Sequence, residues 1–151
     1  QIGALQAAAI VAVNALGDVI DVDTGKRIAG LLNEDNTEIY STEAALYAQY
    51  AEDKKVFSGN TTIGCIVTNA KLTKPQASKL ASIAHNGFAR AIRPVHTMVD
   101  GDTIFVMATG EVEAMPDAVG ALAAEVMARA VNRAARTAEP AYGLKAARDF
   151  E

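Results

Sequence analysis

Residues 57–70 read FSGNTTIGCIVTNA: a Gly-Asn turn signal runs directly into two threonines and an apolar, β-branched segment. The run from Thr61 predicts a strand whose central residues are apolar on both faces, as in a strand buried within layers. Its beginning has two readings. Thr is a strand former and Gly-Asn is ordinary loop punctuation, so a plain hairpin entry accounts for the pattern. Alternatively the chain cuts itself at Asn60-Thr61 and uses the new N-terminus as a catalyst. A Thr hydroxyl is a weak nucleophile until a base takes its proton, and a free α-amine on the same residue is one such base. That amine has an ordinary pKa of roughly 7.7–8.0, so part of it is neutral near physiological pH. Gly59 would grant the uncut loop a strained backbone at low steric cost.

Downstream of this stretch the pattern is regular. TKPQASKLASIAHNGFARAI, residues 73–92, predicts a helix capped by Thr73, with Pro75 in its first turn and Leu80, Ile83, Ala84, Phe88 and Ile92 at helical spacing. TMVDGDTIFVMATG, residues 97–110, predicts either two strands around an Asp-Gly turn or one strand sharply bent at Gly101. A long Ala-rich helix is expected from about Asp117 to Thr137, with Val119, Leu122, Ala123, Val126 and Ala130 on one face. The tail after it has the character of a terminal arm that reaches a neighbouring subunit.

Upstream, the β-branched IVAV at 10–13 favours a strand within an apolar run that could equally be helical. NALGDVIDVDTGKRIAG, residues 14–30, suggests a strand pair or a turn-rich connection. Residues 33–60 are polar, with an apolar face only around Ala44 to Tyr50, and read as a mobile surface excursion.

Composition narrows the partners. At 151 residues, half of them apolar and 21% charged, the chain fits one soluble domain with a buried core. A net charge of −4 and a pI near 5.2 offer no basic patch for nucleic acid or an anionic membrane surface. The single cysteine, Cys65, excludes an internal disulfide and a multi-cysteine zinc site, and suits a reducing, cytoplasmic location. The opening QIGALQAAAIVAVNALG resembles neither a signal peptide nor a membrane span, and reads like a sequence entered midway through a domain.

Candidate chemistry gathers at VDGDT. Asp100 and Asp102 flank Gly101, so an extended backbone puts both carboxylates on one side and a tight turn crowds them. Carboxylates that share a site titrate as a unit and supply a proton acceptor and a partner for an ammonium. A solvated Asp-Gly hairpin is the plain alternative. His85, His96, Asp100 and Asp102 include metal-ligand types, but their spacing matches no established metal motif, and neither a metal nor a cofactor is expected. Arg90 and Arg93 read as helix-end cations or as substrate-carboxylate ligands, and Cys65 as apolar packing.

VNALGDVID at 13–21, GNTTIGCIVTNAKLTK at 59–74 and AHNGFARAIRPVHTMVDGDTIFVMATG at 84–110 together resemble the C-terminal half of the P1 peptidase family, the DmpA-type aminopeptidases that include the nylon-oligomer hydrolases. The likeness spans most of residues 3–138. It implies an α+β fold, namely part of the four-layered α-β-β-α sandwich of N-terminal nucleophile hydrolases. It also implies cleavage at Asn60-Thr61 into an α part ending at residue 60, with the loop 33–60, and a β part over 61–151.

On that resemblance Thr61 is the nucleophile, Asp100 its first partner, Asp102 the second acid, and Asn14 a donor to the developing oxyanion. Aminopeptidase members carry Ser and Glu where this sequence has Asp100 and Asp102; nylon-oligomer hydrolases carry two Asp. The family's Tyr and Lys site residues come from a first half not present in this sequence. The implied substrates are linear amides such as short peptides, amino-acid amides or aminohexanoate oligomers, and the implied assembly is a homo-oligomer of processed α/β heterodimers. An unprocessed, non-catalytic subunit and a metal-dependent hydrolase built on His96 and the Asp pair are the rival readings.

Overall fold

The computed structural model describes residues 1–52 and 59–150. Its centre is a three-stranded sheet in which β4 (Ile63–Ala70) lies between β1 (Ala7–Ala12) and β6 (Thr103–Val112). β1 runs antiparallel to β4, with Ile10 opposite Cys65, and β6 runs parallel to it, with Phe105 beside Cys65. A parallel neighbour needs a long crossover, which α2 (Lys74–Ala91) and the short β5 (Ile92–Arg93) provide. Near the end of β6, Gly110 takes a positive φ of 81°, open to glycine, and the register slips so that Ala70 faces Val112.

β4 alternates strictly. Gly64, Ile66, Thr68 and Ala70 are buried, whereas Ile63 is exposed and Cys65 and Val67 are only half-buried. The expectation of burial on both faces therefore holds for one face. That face meets α2 and α3 (Pro116–Thr137), and Phe88, Met127, Val119 and Val131 are fully buried against it. Each such side chain contributes about 1.5–3 kcal/mol by leaving water. The opposite face stays open, with Ile10, Phe105 and Met107 all exposed beside Ile63.

The helices form for the local reasons read in the sequence. Thr73 caps α2 in a reciprocal box with Gln76, and Pro75 sits in the first turn. The small residues let α2 and α3 approach closely: a Cβ on Gly87 would lie 2.5 Å from the Ala124 carbonyl oxygen. No helix among the described residues is long and apolar enough to cross a membrane.

A smaller antiparallel sheet orders as β3 (Arg27–Ala29), β2 (Asp18–Ile20) and β5, so the strand pair anticipated at 14–30 is present. Asp18 is buried at its centre and accepts from the Thr42 N–H and hydroxyl and from Arg27 Nε at 3.0 Å. It thereby ties the sheet to α1 (Thr42–Glu52), a helix within the stretch read as a surface excursion. Residues 53–58 of that excursion lie outside the described residues. Asn132 of α3 clasps β2, donating to the Ile20 carbonyl at 2.7 Å and accepting from the Val22 N–H at 2.9 Å. The tail folds back on this body: Ala146 and Ala147 are buried, and Lys145 donates to the Asn36 carbonyl.

Candidate active site

Asn60 and Thr61 immediately precede β4, and residues 99–102 immediately precede β6. Parallel pairing of those strands continues backwards through both segments, as an isolated bridge between Asn60 and Asp100. Asn60 N–H donates to the Val99 carbonyl at 3.2 Å, Gly101 N–H to the Asn60 carbonyl at 2.9 Å, and Thr103 N–H to the Thr62 carbonyl at 3.0 Å. From the other side, Thr61 N–H donates to the Asn14 carbonyl at 3.0 Å. The Asn60-Thr61 peptide is thus held between two segments by backbone hydrogen bonds, and the bent-strand alternative for residues 97–110 fits better than a hairpin.

The side chains meet at the same peptide. Thr61 Oγ1 donates to the Asn60 carbonyl oxygen at 2.7 Å, so that oxygen accepts both the hydroxyl and the Gly101 N–H. Two donors on one carbonyl polarise it toward nucleophilic attack. Thr61 is half-buried, at the edge of solvent, and Thr62 behind it is fully buried.

The two aspartates engage different donors. Asp102 Oδ1 accepts the Thr62 N–H at 2.8 Å, and its side chain is only 6% exposed. Asp100 Oδ2 turns back to the Thr97 N–H at 2.7 Å, closing its own loop. Asp102 therefore ties the β6 entrance to the β4 entrance that carries the Asn60-Thr61 peptide, while Asp100 braces its own loop. Asn14 contributes its backbone carbonyl to Thr61, and its side chain lies on an exposed residue lining a cleft of about 540 Å³ that also reaches Asn60.

His85 and His96, grouped in the sequence with Asp100 and Asp102 only as metal-ligand types, meet directly in the fold. His85 Nδ1 and His96 Nε2 are 2.9 Å apart, and His96 Nε2 lies 3.9 Å from Asp102 Oδ2. Burial, then the neighbouring His96, push His85 below the ordinary imidazole range, against an opposing pull from Asp102. The two imidazoles are eleven positions apart and on different elements, so no spacing rule signals the pair.

The sequence marks Gly101 as a turn or a strand bend, whereas the fold sets its N–H on the Asn60 carbonyl and its missing side chain against Thr61 Oγ1. Thr62 Oγ1 and Thr97 Oγ1, like Gln49 Oε1 in α1, are buried without a hydrogen-bond partner, and each such group in a native fold calls for an explanation. Arg90 lies in the last turn of α2 and Arg93 on β5. Cys65 is a free thiol within β4, two residues past the strand entrance. Among the described residues no three His, Cys, Asp or Glu side chains are grouped to hold a metal ion.

Comparison with known proteins agrees with the motif resemblance. Residues 2–148 match peptidase family S58. An uncharacterized aminopeptidase of Mycobacterium bovis is 38% identical over 91% of this chain and 46% of its own length. One from Mycobacterium leprae is 39% identical over 90% of this chain and 42% of its own. A 6-aminohexanoate-oligomer endohydrolase of Kocuria is 38% identical over 52% of this chain and 26% of its own. The chain spans less than half the length of these relatives.

Proposed function

The chain belongs to peptidase family S58, and from that premise we propose that it carries the nucleophile of a self-processing N-terminal threonine amidohydrolase. The observation that carries this reading is the Thr61 hydroxyl 2.7 Å from the Asn60 carbonyl oxygen, which also accepts the Gly101 N–H. In processing, Thr61 Oγ1 attacks the Asn60 carbonyl carbon, the peptide C–N bond breaks, and the hydroxyl proton passes to the departing Thr61 nitrogen. The product is an ester between Asn60 and Thr61 Oγ1. Water hydrolyses it, leaving an Asn60 carboxylate and a Thr61 with free amine and free hydroxyl.

In turnover the freed amine takes the Thr61 hydroxyl proton as the oxygen attacks a substrate amide, and returns it to the leaving amine. Water then releases the acyl group. The Asn14 carbonyl, which accepts the Thr61 N–H in the intact chain, is positioned to hold that amine. The Asn14 side chain serves as oxyanion donor, and Asp100 and Asp102 orient the ammonium form and keep the proton local. Substrates are linear amides: aminohexanoate oligomers, short peptides or amino-acid amides. Relatives named as aminopeptidases and as a 6-aminohexanoate-oligomer endohydrolase support that class, and the paired Asp leans toward the oligomers.

The open face of the central sheet supports a partial α-β-β-α sandwich. Ile10, Cys65 and Phe105 share one register row, Ala8, Val67 and Met107 the next, and Ile10, Phe105 and Met107 are exposed. An apolar face of this extent suits a second sheet packed about 10 Å away. The function is tested with a panel of these amides, assaying the protein and its Thr61→Ala variant. Release of free amine by the protein and none by the variant is expected; equal release by both would refute the assignment.

A further inference from the structure

Behind the nucleophile stands a small polar chain, of which the mechanism above uses Asp102 and neither histidine. Thr62 N–H, one residue after Thr61, is held by Asp102 Oδ1; Asp102 Oδ2 faces His96 Nε2; and His96 Nε2 meets His85 Nδ1 on α2. His85 is half-buried and packs edge-on to the fully buried Phe88 at 5.5 Å between centroids, whereas His96 stands at the surface with 38% of its side chain exposed. His96 reaches this position on a left-handed backbone, φ 56°, in which a non-glycine residue is uncommon. Such strain persists only where surrounding contacts over-determine it.

We propose that His96, braced by His85, is a positioning residue that holds the Asp102 carboxylate on the Thr62 N–H and so fixes the backbone carrying the Thr61 nucleophile. The inference rests on the reading of Thr61 as nucleophile. The ionisable groups facing His96 are His85 from α2 and Asp102 from the segment entering β6, while Asp100 in its own loop is turned to the Thr97 N–H. A proton on His96 Nε2 donates to His85 Nδ1 at 2.9 Å, and the Asp102 carboxylate oxygen at 3.9 Å stands beside that polar hydrogen as an electrostatic contact beyond hydrogen-bond length. His85 then carries its own proton on Nε2. The depressed basicity of His85 fits a ring that stays neutral and accepts.

The test compares His96→Leu and His96→Gln in the intact protein, reading hydrogen exchange at the Thr62 amide and steady-state amide hydrolysis. The Leu variant is expected to lose protection at Thr62 and to hydrolyse with kcat on the order of ten- to a hundredfold lower at little-changed KM, as a misplaced support does. The Gln variant, which keeps a donor, is expected to recover part of both. Wild-type protection and wild-type kcat in the Leu variant would overturn the proposal. So would equal losses in both variants, which indicate packing alone. Loss of Thr62 protection in a protein whose wild type neither cleaves itself nor hydrolyses amides would support the brace and refute the catalytic reading of Thr61.

Discussion

A Cβ added to Gly101 would stand 2.7 Å from Thr61 Oγ1, so the bare glycine is what leaves the threonine hydroxyl its place beside the Asn60 carbonyl. Gly101 does not occupy the left-handed region, and alanine there meets no backbone penalty. Gly101→Ala therefore isolates the contact with Thr61. It is expected to slow self-cleavage by at least tenfold, the loss that follows when a reacting atom is displaced by a fraction of an ångström. A time course of fragment appearance on a denaturing gel measures this, and cleavage at the wild-type rate would count against the assigned rotamer.

Asp102 holds a backbone N–H beside a fully buried residue. Asp102→Ala leaves that donor without its partner and should lower unfolding stability by about 1–3 kcal/mol. Asp102→Asn keeps an acceptor oxygen and should lose less stability while still losing the charge that faces His96. Denaturant midpoints of the two variants separate these effects; equal midpoints would mean that the Thr62 hydrogen bond does not stabilise the fold.

Acid stability carries the signature of Asp21. Its hydrogen bond with Arg136, followed by those from Thr24, holds its carboxyl well below the usual carboxylate range. A lowered folded pKa gives stability that is present above the ordinary aspartate value and is lost as pH falls through the lowered one. Arg136→Ala should therefore reduce stability at neutral pH, and the difference from wild type should shrink toward strongly acid solution. Thermal melts from pH 7 down to pH 2 follow this, and a difference that grows as pH falls would contradict it.

The packing of α2 on α3 depends on Gly87, whose added Cβ would meet the Ala124 carbonyl at 2.5 Å and Met127 Cβ at 2.7 Å. Backbone cannot swing away as a side-chain tip can. Gly87→Val should destabilise by at least about 1–3 kcal/mol, the range for overpacked cores, and lower the melting temperature accordingly. An unchanged melting temperature would show that the helices separate freely.

Much of this organisation is legible in the sequence because it is local. The Thr73 cap, Pro75 and the spacing of Leu80, Ala84 and Phe88 mark α2, and the apolar, β-branched run after Thr61 marks β4, although it suggests burial on both faces. Asn60, Thr61, Asp100 and Asp102 could be named as candidates, and the fold brings them onto neighbouring strand entrances. What could not be read is non-local. Parallel pairing of β4 with β6 decides that the Gly101 N–H joins the Thr61 hydroxyl on the Asn60 carbonyl. The His85 and His96 contact depends on where α2 lies against the loop before β6. α1 was missed because its apolar residues, around Ala44 to Tyr50, make only a short and weak face, and its start is tethered by Asp18 far away in sequence.

The central claim is that the Asn60-Thr61 bond is made to be broken by Thr61. Intact-mass spectrometry of the purified protein under denaturing conditions tests it most directly. The account predicts two fragments whose masses meet at the Asn60-Thr61 junction, and one uncut mass for Thr61→Ala. A single full-length mass for the wild-type protein that persists through prolonged incubation would contradict it, and would leave the Thr61 hydroxyl as a strand-entrance hydrogen bond and nothing more.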